Sequence, residues 1–427
     1  MRFFIKKINN FKRLKSSQDT RGLIRVLWKY YIRDTVKLLL LPRQKWAKKK
    51  IRVQQLFHSI ARDPKHLMPA IKVSLRICIT YHCNLSCRNC YTRGLSEQIP
   101  GFMELSEFEK LIKWAAARGW RSVSFLGGEP LLHPDFSEML DICYANSMYV
   151  NIATNNLLTD KHIHSLTGQW YRTIFIDYNA KAVMTEAQRD TFDKNLSLLK
   201  EKKINFAFSY AIDDNSSGYG SLLEDLGRFK PDCVRVSLLL PDYNDDSGQY
   251  DLAGHKENYF NKARSIQERC IDLMIPYFNY RPIPQCIMSD DQWRQYSLNG
   301  ILPDIAHTRC PLGYDDDYAM MLTVNPDLSV FPCPAVYEKK SDIFSFATRD
   351  EISSYYKEKL RPVMRTSLID ECGDCKNWQY YNRYLHKENL TTASRTGEAD
   401  TPGEKMCQGG CLTGSWHRSK TIVSRQD

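Results

Sequence analysis

Between residues 74 and 240, short apolar runs alternate with longer segments of helical periodicity, and this alternation limits the fold more than any other feature of the chain. A strand, an amphipathic helix and a second strand in succession build a parallel sheet covered by helices. The pattern predicts a helix over 107–118, with Phe108, Leu111, Ile112 and Ala115 on one face and Gly119 after its end. Further helices are expected over 136–145 and 187–202. Strands are expected over 121–126, 149–155, 173–178, 205–212 and 233–240, after a first apolar run that stops before Thr80. Six strand–helix alternations fit the length better than eight.

The loop after the first strand reads Ile79-Thr-Tyr-His-Cys-Asn-Leu-Ser-Cys-Arg-Asn-Cys-Tyr91 and offers Cys83, Cys87 and Cys90 from one place. No fourth cysteine follows nearby. A 4Fe–4S cluster held by three thiolates keeps one iron without a protein ligand, open to bind and activate something. Structural zinc calls for four ligands, usually as two separated pairs. A disulfide framework needs an oxidising compartment, and the chain shows no secretory h-region. Cluster, zinc and unligated thiols are the three readings this loop allows alone.

One helix later the strand Arg121–Leu126 runs into Gly127-Gly128-Glu129-Pro130. Two glycines at a strand end allow a ligand close to the backbone, Glu129 offers a carboxylate to a positive group, and Pro130 stiffens the exit. As a plain turn this signal is modest. A strand–helix–strand unit, however, brings both loops to the same end of the sheet.

Together, Cys83, Cys87, Cys90, Gly127-Gly128-Glu129-Pro130 and Thr154-Asn155 resemble the radical S-adenosylmethionine (radical SAM) superfamily over roughly residues 74–285. The resemblance implies an α/β fold with a partial (β/α)6 TIM-type barrel. It implies that the open iron chelates S-adenosylmethionine while Gly127, Gly128 and Glu129 contact its amino group. One-electron cleavage then yields a 5′-deoxyadenosyl radical that abstracts hydrogen from a substrate, the reductant being a protein such as flavodoxin or ferredoxin. Asn89 stands where the family often has an aromatic, and Asp177-Tyr178-Asn179-Ala180 replaces the family's usual end of the fourth strand. Asp177 and Asn179 are candidates for the ribose or the substrate pocket, with Ser209 and Ser237 on the next two strands; ordinary strand-end roles compete for all four.

Of the fourteen cysteines, Cys78, Cys143, Cys233 and Cys270 fall in apolar patterns and read as buried hydrophobes. A second constellation lies towards the C-terminus: Cys286, Cys310, Cys333, the Cys372-x2-Cys375 pair and the Cys407-x3-Cys411 pair. A hairpin over 319–331, turning at Asn325-Pro326-Asp327, is expected to deliver Cys333. Zinc or iron–sulfur ligation suits the set. This tail resembles the SPASM/twitch extension, which implies one or two auxiliary 4Fe–4S clusters. The resemblance assigns Cys286, Cys310, Cys333 and Cys411 to one, and Cys372, Cys375 and Cys407 to a second. About 31 residues separate Cys375 from Cys407, where the family has a handful, and Leu328 stands where it has glycine.

Residues 1–52 carry seventeen Lys or Arg against only Asp19 and Asp34, a net of about +15 in a chain of net +11. Residues 22–41 read as a helix with a basic stripe of Arg25, Lys29, Arg33 and Lys37 beside a broad apolar face containing Trp28 and Tyr30. Charges in every turn exclude a bilayer span, which takes ~20 mostly apolar residues. An anionic membrane surface, the body of the protein and an acidic peptide or partner protein are the alternatives for this helix. Nucleic acid is not an expected partner, since no binding module accompanies the charge. The expected division is a basic extension (1–70), a radical SAM core (71–285) and an auxiliary-cluster domain (286–427). The expected enzyme is cytoplasmic, or peripheral on the inner membrane face. Its substrate is expected to be a peptide or protein side chain, or alternatively a small or lipid-linked molecule; a non-catalytic iron–sulfur protein is the third reading.

Overall fold

A computed structural model describes residues 74–87, 90, 92, 95–120, 122–166, 172–212, 218–238, 252–279, 292, 322–332 and 342–365. The strands are β1 (Leu75–Cys78), β2 (Ser122–Leu126), β3 (Tyr149–Thr154), β4 (Arg172–Asp177), β5 (Phe206–Ile212), β6 (Cys233–Leu238), β7 (Tyr277–Asn279), β8 (Thr323–Val324) and β9 (Val330–Phe331). Between them run α1 (Leu105–Ala117), α2 (Phe136–Ala145), α3 (Asp160–Leu166), α4 (Glu186–Glu201), α5 (Tyr219–Phe229) and α6 (Leu252–Asp272), with α7 (Arg349–Arg365) after the last strand. One sheet orders them β7-β6-β5-β4-β3-β2-β1-β8-β9, parallel throughout except for the antiparallel β8–β9 pair. Among the described residues its ends, β7 and β9, are distinct edges, so the sheet is open, in keeping with a partial barrel.

The expected elements form within a residue or two of their predicted bounds, because each has both a face to bury and a stop signal. Helix α1 buries Phe108, Leu111, Ile112 and Ala115, and the chain leaves it through Gly119 at φ +88°. Helix α4 begins at a reciprocal capping box, with the Thr185 hydroxyl accepting from Gln188 N while the Gln188 side chain accepts from Thr185 N. Strand β7 adds a seventh parallel strand to the six expected; three residues are too few for a period to register.

The two sheet faces differ in chemistry. Val123, Phe125, Val150, Ile152, Ile174, Ile176, Phe208 and Val236 all join one hydrophobic core, which also contains the buried helix residues. By alternation, the opposite face carries Ser122, Ser124, Asn151, Thr173, Ser209 and Arg235. Several of these side chains bond across strands: Ser122 Oγ donates to Ser74 Oγ at 3.0 Å, and Ser74 and Ser124 hydroxyls lie 2.8 Å apart.

The predicted hairpin forms and adds to the edge of the same sheet, with Arg76 opposite Thr323 and Ile77 opposite Val324. Its turn is closed by Leu328 N to Asn325 O (3.0 Å) and Asn325 N to Ser329 O (2.8 Å). Leu328 sits at φ +63°, the left-handed conformation that glycine takes without cost. A leucine there loses roughly 1 kcal/mol, offset by its packing against the core. Ile343, Ile352 and Tyr356 belong to that core as well, so residues beyond 286 share it with the strand–helix repeat.

No helix among the described residues is long and apolar enough to cross a membrane. The basic segment 1–52 and Cys286, Cys310, Cys333, Cys372, Cys375, Cys407 and Cys411 lie outside the described residues.

A buried charge network locks the helix layer. Lys181 Nζ lies 2.7 Å from Asp193 and 2.8 Å from Asp225, and Tyr178 O–H donates to Asp225 at 2.6 Å. The Lys181 and Asp225 side chains are only 16% and 8% exposed, so removing the cation leaves carboxylates unbalanced in a poorly solvated place. Lys181→Met is expected to cost about 3 kcal/mol, read as a lower urea midpoint with an unchanged slope.

Candidate active site

The site is assembled where the loop after β1 meets the loop after β2. Gly128 N donates to Thr80 O (3.0 Å) and Glu129 N donates to His82 O (2.8 Å), so the two loops run against each other backbone to backbone. The glycines make this approach possible. A Cβ on Gly127 would stand 2.1 Å from Thr80 O, and Gly127 also takes φ +120°. A Cβ on Gly128 would stand 2.2 Å from His82 O and 2.5 Å from Tyr81 O. The close neighbour at the glycine Cβ positions is therefore the cysteine loop itself. Thr80 adds a second tie, its hydroxyl donating to Gly101 O (2.9 Å) and accepting from His82 N (3.1 Å).

Glu129 is buried at 3% exposure, and both oxygens of its carboxylate accept hydrogen bonds. Leu131 N donates to Oε1 (3.2 Å), Asn155 N to Oε2 (2.8 Å), and the Thr154 hydroxyl reaches both oxygens at 2.9 and 3.0 Å. Burial raises its pKa to about 7, and the hydrogen bonds from Asn155, Leu131 and Thr154 oppose the rise without cancelling it. No Lys, Arg or His among the described residues forms an ion pair with it. Pro130 opens a short 3₁₀ turn, Pro130–Leu132, for which Glu129 is the cap.

The end of β3 closes the group. Asn155 Nδ2 donates to Asn84 Oδ1 (2.6 Å), and Asn155 Oδ1 accepts from Leu157 N (3.0 Å), so one side chain ties the β3 end to the cysteine loop. Asn84, inside the motif, is a contact that spacing alone does not announce.

Cys83 is exposed, and Cys87 and Cys90 are partly buried. Burial pushes the Cys83 thiol up, with Glu129 and Cys90 adding to the rise and the Leu85 amide and Asn155 opposing it. The Cys90 sulfur lies 3.0 Å from the Thr92 hydroxyl. Among the described residues, no three His, Cys, Asp or Glu side chains converge as a preformed metal site. The donor set nonetheless fits an iron–sulfur cluster: three soft sulfurs on one short loop, at least one facing solvent, beside a carboxylate with no cation partner among the described residues.

Asp177 and Ser209 lie further along the sheet. Asp177 caps the turn after β4 by accepting from Asn179 N (3.1 Å). The Asn179 amide pairs with both Ala211 backbone groups, at 2.8 and 2.6 Å, and so stitches β4 to β5. Ser209 accepts from Arg235 Nε, and the Arg235 guanidinium lies 3.8 Å from the centre of the Phe175 ring. Ser237 is fully buried. These residues form the β4–β6 part of the polar face, and the Asp177 charge adds to the rise of the Glu129 pKa.

Residues 77–180 match the radical SAM superfamily. The chain is 23% identical over 321 residues to a probable GTP 3′,8-cyclase of Methanosarcina mazei, covering 69% of this chain and 89% of that protein. It is 29% identical over 94 residues to a PqqA peptide cyclase of Gluconobacter oxydans, covering 22% of this chain and 26% of that protein. In fold it is similar to native anSMEcpe with bound AdoMet, with a TM-score of 0.57, 15% identity, and coverage of 82% of this chain and 92% of that one. The same protein with bound AdoMet and the Kp18Cys peptide gives a TM-score of 0.56.

The backbone contact at Gly128 sets a direct test. Gly128→Ala is expected to cost about 3 kcal/mol, because the clash is with carbonyl oxygens that cannot swing away, and to lower iron retention after reconstitution. Gly220→Ala, where nothing lies within 4 Å, is expected to change the denaturation midpoint by no more than about 1 kcal/mol and leave iron content intact.

Proposed function

We propose, from the premise that this chain belongs to the radical SAM superfamily, that it abstracts hydrogen from a carbon of a peptide or protein side chain. In this reading Cys83, Cys87 and Cys90 hold a 4Fe–4S cluster and S-adenosylmethionine binds beside Glu129. When bound, the two together supply a one-electron cleavage to methionine and a 5′-deoxyadenosyl radical. The observation that carries the reading is the junction of the Cys83 loop with a buried carboxylate that has four hydrogen-bond contacts and no cation among the described residues.

The chain's own residues divide the remaining work. Cys83, Cys87 and Cys90 provide three thiolates and leave a fourth position for an amino-acid chelate. Gly127 and Gly128 let the loops lock together, so the cysteines and Glu129 keep one separation. Thr154 and the Asn155 amide hold both oxygens of Glu129 in place to receive an ammonium. The polar face beyond, with Asp177, Ser209 and Arg235, is the proposed floor for substrate and ribose.

A peptide substrate is supported by the similarity to a PqqA peptide cyclase and by the shared fold of a protein seen with a bound peptide. A second reading, a small-molecule substrate, is favoured by the long match to a probable GTP 3′,8-cyclase. Auxiliary 4Fe–4S clusters on Cys286, Cys310, Cys333, Cys372, Cys375, Cys407 and Cys411 belong to this proposal, within a C-terminal unit over 286–427. So do a flavodoxin- or ferredoxin-type reductant and an anionic membrane surface for residues 1–52.

Three measurements test the proposal. Anaerobically reconstituted protein should hold roughly eight to twelve irons per chain; about four would remove the auxiliary clusters, and zinc without iron would remove the whole reading. The triple variant Cys83→Ala, Cys87→Ala, Cys90→Ala should form no 5′-deoxyadenosine under dithionite, and persistent cleavage would show the assignment to be wrong. Only ionised Glu129 pairs with an ammonium, and its pKa is about 7. Affinity for S-adenosylmethionine should therefore fall about fivefold between pH 7 and pH 6, while Glu129→Gln binds weakly with no such step.

A further inference from the structure

The hairpin of β8 and β9 reaches the cysteine loop through a directed chain of hydrogen bonds. Tyr81, two residues before Cys83, is 3% exposed and packs with Cys78 and Ile99 and against Leu126, beneath the loop. Its hydroxyl bonds to Asn325 Oδ1, across a separation of 244 residues. Asn325 is fully buried; its Nδ2 donates to Ser329 Oγ at 2.8 Å, and Ser329 Oγ bonds in turn to Asp327 Oδ1.

Donor and acceptor chemistry gives the chain one direction. A carboxylate only accepts, so the Ser329 hydroxyl spends its proton on Asp327. Ser329 Oγ must then accept from Asn325, which orients the amide with its nitrogen towards Ser329 and its oxygen towards Tyr81. That oxygen leaves Tyr81 as donor. The backbone reinforces the geometry, because Asn325 N donates to Ser329 O (2.8 Å) and Ser329 N to Asp327 Oδ1 (3.0 Å). Asn325 is thus rigid before Tyr81 engages it, and Tyr81 hangs from a fixed point.

What Tyr81 holds is the backbone that carries the site. The carbonyl oxygens of Thr80, Tyr81 and His82 line the cleft that Gly127 and Gly128 fill, and His82 O accepts from Glu129 N. A small rotation at Tyr81 moves Cys83 and Glu129 relative to one another. We propose that Asn325 and Tyr81 are positioning residues, through which the C-terminal hairpin sets the separation between the cysteine loop and the Glu129 carboxylate. The inference rests on the assignment of Cys83, Cys87 and Cys90 as cluster ligands beside an S-adenosylmethionine site.

The test compares two tyrosine-to-phenylalanine variants in the full-length, reconstituted protein. Tyr81→Phe removes the hydroxyl that reaches Asn325. Tyr356→Phe removes a different hydrogen bond to the same hairpin, Tyr356 O–H to Val330 O at 3.0 Å, from the side of α7. Tyr81→Phe should keep the iron content, weaken S-adenosylmethionine binding about fivefold, and alter the change that S-adenosylmethionine induces in the electron paramagnetic resonance spectrum of the reduced cluster. Tyr356→Phe should lower stability comparably and leave affinity and spectrum at wild-type values. Wild-type affinity and spectrum in Tyr81→Phe overturn the inference, and so do equal changes in both variants, which would mark a general loosening of the hairpin. If the wild-type spectrum does not respond to S-adenosylmethionine at all, the underlying site assignment fails instead.

Discussion

A single buried carboxylate organises the end of this sheet. Glu129 leaves β2, collects hydrogen bonds from the Leu131 amide behind it and from Thr154 and Asn155 at the end of β3, and through its own amide grips the loop after β1. Three consecutive strands are thereby held at one point. The arrangement is costly, because burial disfavours the charged form and the three donors only partly compensate. A carboxylate whose pKa is raised to about 7, with no ion-pair partner among the described residues, is poised for a positive ligand. That demand connects the local geometry to the chemistry proposed for this site.

The glycines before it serve a geometric need that differs from the obvious one. A Gly-Gly pair at a strand end invites the thought of a ligand pressed to the backbone. The atoms that crowd their Cβ positions are the carbonyl oxygens of Thr80, Tyr81 and His82. The loop that presents the cysteines is thus packed as tightly as backbone permits onto the loop that presents the carboxylate. Rigidity between the cysteine loop and the Glu129 carboxylate follows from two missing methyl groups.

The same end of the sheet is reached from far along the chain. Strand β8 extends the sheet beyond β1, and the Tyr81–Asn325–Ser329–Asp327 chain runs from the cysteine loop into the hairpin turn. The hairpin also joins the main hydrophobic core through Leu322, Val324 and Val330. The C-terminal segment that leads on to Cys333 is therefore built onto the strand–helix repeat at its first strand. Further along the sheet, Ser209 and Arg235 bond across β5 and β6, and the Asn179 amide ties the end of β4 to β5.

The parallel α/β order, the helices over 105–117 and 136–145 and the hairpin turn at Pro326 were all legible in the sequence, because local physics specifies each of them. Periodicity marks a buried face, capping residues mark ends, and three cysteines on one loop declare their chemistry at short range. Strand β7 was not legible, since three residues carry no period. Nor was the role of Asn179, whose amide could as well have faced a ligand until the β5 backbone arrived beside it. Tyr81 and Asn325 carry no local signal at all: one reads as an apolar strand-end residue and the other as a turn former. What joins them is sheet order, which places β8 against β1 and so decides which buried donor meets which acceptor. The sequence alone determined that three cysteines and a carboxylate would gather at one end of a sheet. Only the tertiary structure decided that they would be held there by backbone contact and by a hairpin 244 residues away, because such contacts depend on packing between segments that have no knowledge of one another along the chain.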